Sequence, residues 1–320
     1  SNICSFINET MANPYCKNLK TIIFDIETMG LYPAHDMIIN AGFCDPDTGE
    51  VFQLFAESID DEKRLINDIN EILSRYECVI TYNGDRFDIP FVNTRAAKHG
   101  LKSLPLFWSI DLYRYLKKYW PMAKRMQHLN QKSVEVALGL SESRDDKIGG
   151  GECITLYADY LKTHNENDKE LILLHNADDV KQLNKIYQKL NFLPYDQISF
   201  ERGFGIVAKE YVVTDTAKIT GNLLTVKAMK NSGGIPSAIY EDNYELSYDC
   251  LTGDIVLKIR LFETDTMQYV DLNSLPVDKN AFKDCIGYHS DFLVITNKKL
   301  INYYDVNLLI DSILSSENLF

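Results

Sequence analysis

The stretch Thr21-Ile22-Ile23-Phe24-Asp25-Ile26-Glu27-Thr28 decides how the chain is read. It is dense in β-branched and aromatic residues and predicts a strand over 20–26. Side chains on a strand alternate faces, so Ile22, Phe24 and Ile26 share one side, and Ile23, Asp25 and Glu27 the other. Two carboxylates side by side repel each other and are costly to bury unless a positive charge lies between them. A divalent cation is the natural partner. The alternative is an edge strand with one face in water.

Around this strand the pattern is that of an α/β domain. Residues 37–43 and 51–55 read as strands joined by the turn Asp45-Pro46-Asp47-Thr48-Gly49. Leu65, Ile66, Ile69 and Ile72 recur at helical spacing, which predicts a helix over 62–76. A short buried strand over 78–82, a helix over 88–99 stopped by Gly100 and a last strand over 109–112 follow. Helices are expected over 112–119, 133–138, 153–162 and 168–190. Strands first, then alternating helix and strand, imply a mixed sheet flanked by helices. A boundary near 191–194 divides the chain into a domain over 1–194 and a small β-rich module over 195–320. In that module strands are expected over 219–228, 244–248, 254–262, 267–271 and 292–304. Leu251-Thr252-Gly253-Asp254 and Asn297-Lys298-Lys299 look like hairpin turns, and an amphipathic helix over 306–314 closes the chain.

Two further pieces bear on chemistry. In Tyr82-Asn83-Gly84-Asp85-Arg86-Phe87-Asp88-Ile89-Pro90-Phe91, apolar anchors surround Asp88 at a predicted helix start, where Pro90 fits the first turn. Read alone, Asp88 could be a helix cap. In Leu174-His175-Asn176-Ala177-Asp178-Asp179-Val180, Asp179 falls on one stripe with Ile172, Leu183, Ile186 and Leu190 and so interrupts a core-facing side. His175 lies one turn earlier on that face. Asp178 is expected to face solvent.

Taken together, Asp25-x-Glu27, Asn83-Gly84-x-x-Phe87-Asp88-x-Pro90-Phe91 and His175-x-x-x-Asp179 resemble, in order and spacing, the three motifs of the DEDD exonuclease superfamily. The wording is most similar to the YprB-like branch of ribonuclease H-like exonucleases, and it also resembles the proofreading domains of family B DNA polymerases. Asp145-Asp146-Lys147-Ile148-Gly149-Gly150 and the helix over 154–160 resemble the same branch, so the likeness covers about residues 20–190. One departure stands out. The usual subclasses place a Tyr four residues before the last Asp or a His five before it, whereas this chain has His175 four before Asp179.

The resemblance implies a ribonuclease H-like fold and phosphodiester hydrolysis assisted by two Mg²⁺ or Mn²⁺ ions. By position, Asp25 would bridge both ions, Glu27 and Asp179 would hold the ion beside the attacking water, and Asp88 would support the second. His175 would act as general base. The substrate implied is RNA or DNA, in single strands, degraded 3′ to 5′. A structure-selective endonuclease on the same fold and a nuclease-like binding module without catalysis are the competing readings. A third makes the β-rich module a docking surface for a partner.

Composition limits how such a protein grips its substrate. Asp and Glu number 46 against 33 Lys and Arg, a formal net charge of −13, which is unlike a protein that tracks phosphates over a long path. The densest basic-aromatic stretch holds Lys117, Lys118, Lys124, Arg125, His128 and Lys132 among Tyr119, Trp120 and Met122. Bases can stack on such aromatics while lysines follow the backbone; a solvated helix face is the alternative. Tyr82, Asn83 and Phe87 flank the expected site and are candidates to pack a terminal nucleotide. The seven cysteines are scattered with no C-x-x-C pair, which fits a reducing, cytoplasmic setting without a disulfide framework. No apolar run approaches the roughly 18 residues of a membrane span, and the first residues carry no secretory pattern.

Overall fold

The computed structural model describes residues 12–140, 144–145 and 148–316. The chain divides into two compact units, Ser1–Leu193 and Pro194–Phe320.

In the first unit β2 (Ile38–Cys44) pairs antiparallel with both β1 (Thr21–Thr28) and β3 (Val51–Phe55). On the other side of β1, β4 (Cys78–Thr81) and β5 (Trp108–Asp111) pair in parallel. The sheet order is therefore β3-β2-β1-β4-β5, with the strand carrying Asp25 and Glu27 at its centre. Every residue of β2 and β4 is buried, as central strands covered on both faces require. The helices are α1 (Glu62–Leu73), α2 (Asp88–Lys98), α3 (Leu112–Tyr119), α4 (Gln131–Ala137), α5 (Gly150–Thr163) and α6 (Glu166–Lys189). Ile22, Phe24 and Ile26 share a core with Leu65, Ile66 and Ile69 of α1 and Phe91 and Val92 of α2. The long α6 packs on β1 and β2. The mixed sheet flanked by helices is the architecture that the strand order implied.

The second unit is β-rich. It opens with α7 (Tyr195–Arg202), followed by β6 (Gly205–Val207), β7 (Tyr211–Thr220), β8 (Leu223–Lys230), β9 (Ser237–Tyr240), β10 (Tyr244–Tyr248) and β11 (Asp254–Arg260). These strands form one sheet in the order β6-β7-β8-β11-β10-β9. A further sheet holds β12 (Phe262–Glu263), β13 (Met267–Asp271), β14 (Tyr288–His289) and β15 (Phe292–Asn297), with β16 (Leu300–Ile301) paired to β15, and α8 (Tyr303–Leu314) follows. Two expectations are corrected here. The strand expected over 219–228 is split by a turn at Gly221-Asn222, where Thr220 pairs with Leu223. Gly221 has φ +57°, a conformation that costs glycine nothing. The strand expected over 292–304 stops at Asn297, because Lys298 and Lys299 take positive φ and the chain turns into β16 and then α8.

One buried ion pair clamps α2, the helix that opens on Asp88. Arg95 of α2 grips Glu62 of α1 through Nε (2.7 Å to Oε1) and Nη2, His99 Nε2 lies 2.7 Å from Oε2, and the Ile38 amide donates to Oε1 at 2.9 Å. Burial by itself would raise the Glu62 carboxyl. The Arg95, His99 and Ile38 hydrogen bonds, with the Arg95 charge, outweigh it and hold the group below its ordinary 4.5. Arg95→Leu strands this carboxylate and is expected to cost about 3–5 kcal/mol in urea unfolding at neutral pH. A depressed folded-state pKa stabilises above the ordinary value and is lost as pH falls through the folded one. The gap between variant and parent should accordingly narrow below pH 4.5.

Candidate metal centre

Three elements deliver the carboxylates. β1 carries Asp25 and Glu27 on one face, and its pairing with β2 slips just after Glu27. Asp88 begins α2 after a tight turn: Asn83 takes φ +64°, and its N–H donates to Asp111 Oδ1 at 2.8 Å. Arg114 pairs with Asp85 in the same turn. So held, Asp88 reaches across to β1, where Oδ1 accepts the N–H of Ile26 at 3.1 Å, between the two acidic residues of the strand. From α6, Asp179 completes the group. Carboxylate oxygens of Asp25, Glu27 and Asp179 lie within 4.8 Å of one another. His175 Nε2 is 3.7 Å from Glu27 Oε1 and 3.5 Å from Asp179 Oδ2.

The electrostatics say that these groups feel one another. Asp25 is held well above its ordinary 3.8, first by burial and then by the charges of Asp88, Glu27 and Asp179, while a hydrogen bond from Asn176 opposes the rise. Asp88 is pushed up to about 7 by burial, against the Ile26 amide and its own, with Asp111 adding to the rise. Such a cluster fits a hard divalent cation. An octahedral ion with bonds of about 2.1 Å spaces its ligands about 3–4.2 Å apart, close to the spread of these oxygens. Asp25, Glu27 and Asp179 are therefore the residues that could hold a metal directly, with Asp88 beside them.

Several supporting residues carried no signal in the sequence. Asn176 Nδ2 donates to Asp25 Oδ2 at 3.0 Å, and its own Oδ1 accepts from Gln53 Nε2 at 2.8 Å. Asn176 fits because residue 42 is glycine: a Cβ there would stand 2.1 Å from Asn176 Oδ1. Arg144 grips buried Glu135 through Nε and Nη2, both at 2.7 Å, and Nη2 lies 2.6 Å from Asp179 Oδ1. Gln131 Nε2 caps the Asp179 carbonyl at 2.9 Å. Asp178, expected to face solvent, is buried, and its Oδ2 accepts the Asp145 amide at 2.7 Å. The chain at 144–145 folds back over α6, which helical periodicity cannot reveal. Asp146 and Lys147 of the neighbouring motif lie outside the described residues.

The residues expected to touch nucleic acid lie in the turn before α2, on α3 and on the segment that follows it. Tyr82 is half-buried, donates its hydroxyl to the Leu129 carbonyl at 2.5 Å and meets the Tyr113 ring edge-on. Phe87 packs on Phe91 with ring centres 5.3 Å apart. Lys117 and Lys118 at the end of α3 are exposed and lie over the rings of Tyr113 and Tyr119. Lys124 and Arg125 are exposed on the short turn Pro121–Arg125.

The family described as RNase_H superfamily matches residues 22–191, more than half of the chain. A DNA polymerase of Methanocaldococcus jannaschii is 26% identical over 271 residues, covering 75% of this chain and 16% of its own length. A DNA polymerase of Pyrococcus glycovorans is 33% identical over 101 residues, covering 28% of this chain and 13% of its own length. The chain thus spans less than a fifth of these relatives. The structure of the family B DNA polymerase from the archaeon Pyrobaculum calidifontis gives a TM-score of 0.42 at 14% identity, over 65% of this chain and 34% of that one.

Two outcomes follow from the packing and the charge. Gly42→Ala forces Asn176 off Asp25 and should destabilise by about 1–3 kcal/mol. Adding Asn176→Ala should recover at least about 1 kcal/mol, read as coupling in a double-mutant cycle. In chelator, the raised carboxyls stabilise the fold while protonated, and that contribution is lost as pH rises through the folded value. The melting temperature should fall between pH 4 and about 7, where Asp88 titrates. Millimolar Mg²⁺ or Mn²⁺ should reverse the loss at pH 7 and above.

Proposed function

The chain belongs to the RNase H superfamily, and from that premise we propose that it is a metal-dependent 3′-to-5′ exonuclease acting on single-stranded RNA or DNA. Residues 1–194 form the exonuclease domain in this reading, in the YprB-like branch of the DEDD group, and 195–320 an accessory module. The observation that carries it is the meeting of acidic residues from three distant elements: carboxylate oxygens of Asp25, Glu27 and Asp179 lie within 4.8 Å of one another, and Asp88 accepts the Ile26 amide between the two acids of β1. Their order in the sequence is that of the exonuclease motifs.

When bound, two Mg²⁺ or Mn²⁺ ions would supply charge stabilisation for an in-line displacement at phosphorus. The protein supplies the rest. Asp25, Glu27 and Asp179 would hold the ions, and Asp88 would support them from α2. Asn176 fixes the rotamer of Asp25, and Arg144 fixes that of Asp179. His175 takes a proton from the attacking water. Its Nε2 lies 3.7 Å from Glu27 and 3.5 Å from Asp179, where an imidazole nitrogen can reach a water beside these carboxylates. The similarity to relatives named as DNA polymerases supports a polynucleotide substrate. Exposed Lys117, Lys118, Lys124 and Arg125 offer a local basic strip on an acidic protein, and Tyr82, Asn83 and Phe87 the wall against which a terminal nucleotide packs.

The test is degradation of end-labelled single-stranded RNA and DNA with Mg²⁺ or Mn²⁺. Asp25→Asn and Asp179→Asn should each lower the rate at least about a thousandfold, since each removes metal occupancy. His175→Ala should cost on the order of a hundredfold. A block at the 3′ end should stop degradation; continued cutting of blocked strands would replace the exonuclease with an endonuclease. Full rate in Asp25→Asn would end the proposal.

A further inference from the structure

We propose a second, softer cation site formed by Glu27, Cys153 and His175, which takes Zn²⁺ or another thiophilic divalent ion and, when filled, shuts down the carboxylate centre. The site itself is argued from geometry. Its inhibitory effect rests on the nuclease reading above.

Cys153 is the fourth residue of α5, near the positive end of the helix dipole, a position that favours negative charge. It faces Glu27 of β1 and His175 of α6. One donor atom of each (a carboxylate oxygen, Sγ and an imidazole nitrogen) lies within 4.8 Å of the other two, and all three residues are buried. The His175 to Glu27 separation is 3.7 Å. A tetrahedral zinc with bonds of about 2.0–2.3 Å holds its ligands about 3.3–3.8 Å apart, so small side-chain rotations close the set. The donors differ in kind from the neighbouring all-oxygen group. Mg²⁺ gains little from sulfur, whereas nitrogen and sulfur donors select zinc. On binding, the thiol proton of Cys153 leaves to solvent and the fourth position falls to water.

The two sites exclude each other. Glu27 belongs to both, as a ligand beside Asp25 and Asp179 and as a ligand beside Cys153. A zinc ion there withdraws Glu27 from the carboxylate centre and occupies the nitrogen of His175 that would accept a proton. The chain therefore carries an inhibitory site whose occupant differs from its activator in chemical softness.

Co²⁺ titration of the full chain in the absence of Mg²⁺ tests the site without recourse to activity. A thiolate-to-cobalt absorption band is expected in the parent, is lost in Cys153→Ser and in His175→Gln, survives in Asp88→Asn and is displaced by Zn²⁺. Cys153→Ala, checked by thermal unfolding, serves if the serine variant fails to fold. Absence of the band in the parent, or a band unchanged by loss of Cys153, overturns the site. Zn²⁺ titrated against fixed Mg²⁺ tests the consequence. Half-inhibition should need at least about tenfold more Zn²⁺ in Cys153→Ser than in the parent, as loss of a ligand implies. Equal inhibition of both overturns the switch. A band with the expected behaviour in a protein that degrades neither RNA nor DNA leaves the site standing and removes the nuclease reading.

Discussion

Repulsion among Asp25, Glu27, Asp88 and Asp179 is the constraint around which the first unit is arranged. Four carboxyls drawn from β1, α2 and α6 cannot all be charged in so small a volume without help, and Asp25, raised first by burial and then by the other three, records that tension. The surrounding structure supplies the help in fixed form. Asn176 and the amide of Ile26 donate to the acids, and Arg144 sets a positive charge against Asp179. These partners are themselves anchored, Asn176 by Gln53 and Arg144 by Glu135. A stiff frame of this kind keeps the acids converging when no cation is present to draw them together, which is how a binding site avoids reorganising each time it fills.

The same frame explains how α2 and α6 keep their places. Helix α2 is tied to β1 at its first turn, through Asp88, and is locked further along by the pair between Arg95 and Glu62. Helix α6 instead lies along β1 and β2, and its polar residues Asn176 and Gln182 are buried among apolar ones. A helix with polar groups on its inner side gives up some hydrophobic burial for position. That exchange is common where a protein stores function rather than stability.

Much of the frame was legible before any coordinates. The period-two alternation of β1 separates Ile22, Phe24 and Ile26 from Asp25 and Glu27, and the structure puts the apolar set against α1 and α2. Asp179 broke the apolar stripe of α6, and a break of that kind is visible in a periodicity. Residues that act through another residue were not. Asn176 is one more polar letter in a helix until Gly42 and Gln53 are seen beside it, and Arg144 lies in irregular chain whose path no period describes. In the second unit the apolar run through residue 228 hid a hairpin, although Gly221-Asn222 is a two-residue hairpin connection of a recognised type. Helix α7 was missed where Pro194 reads as a breaker, although the helix begins at the very next residue.

The bare backbone at residue 42 has a consequence for how this lineage can change. Because the amide of Asn176 occupies the volume that any side chain at 42 would fill, the two positions share a single space between β2 and α6. Residue 42 cannot drift alone. A methyl group acquired on the strand is accommodated only after the helix residue has shrunk, and the shrinkage releases Asp25 from its donor. Descendants that keep this donor are thus confined to glycine at 42, and an alignment of them would show a larger residue there only beside a smaller one at 176.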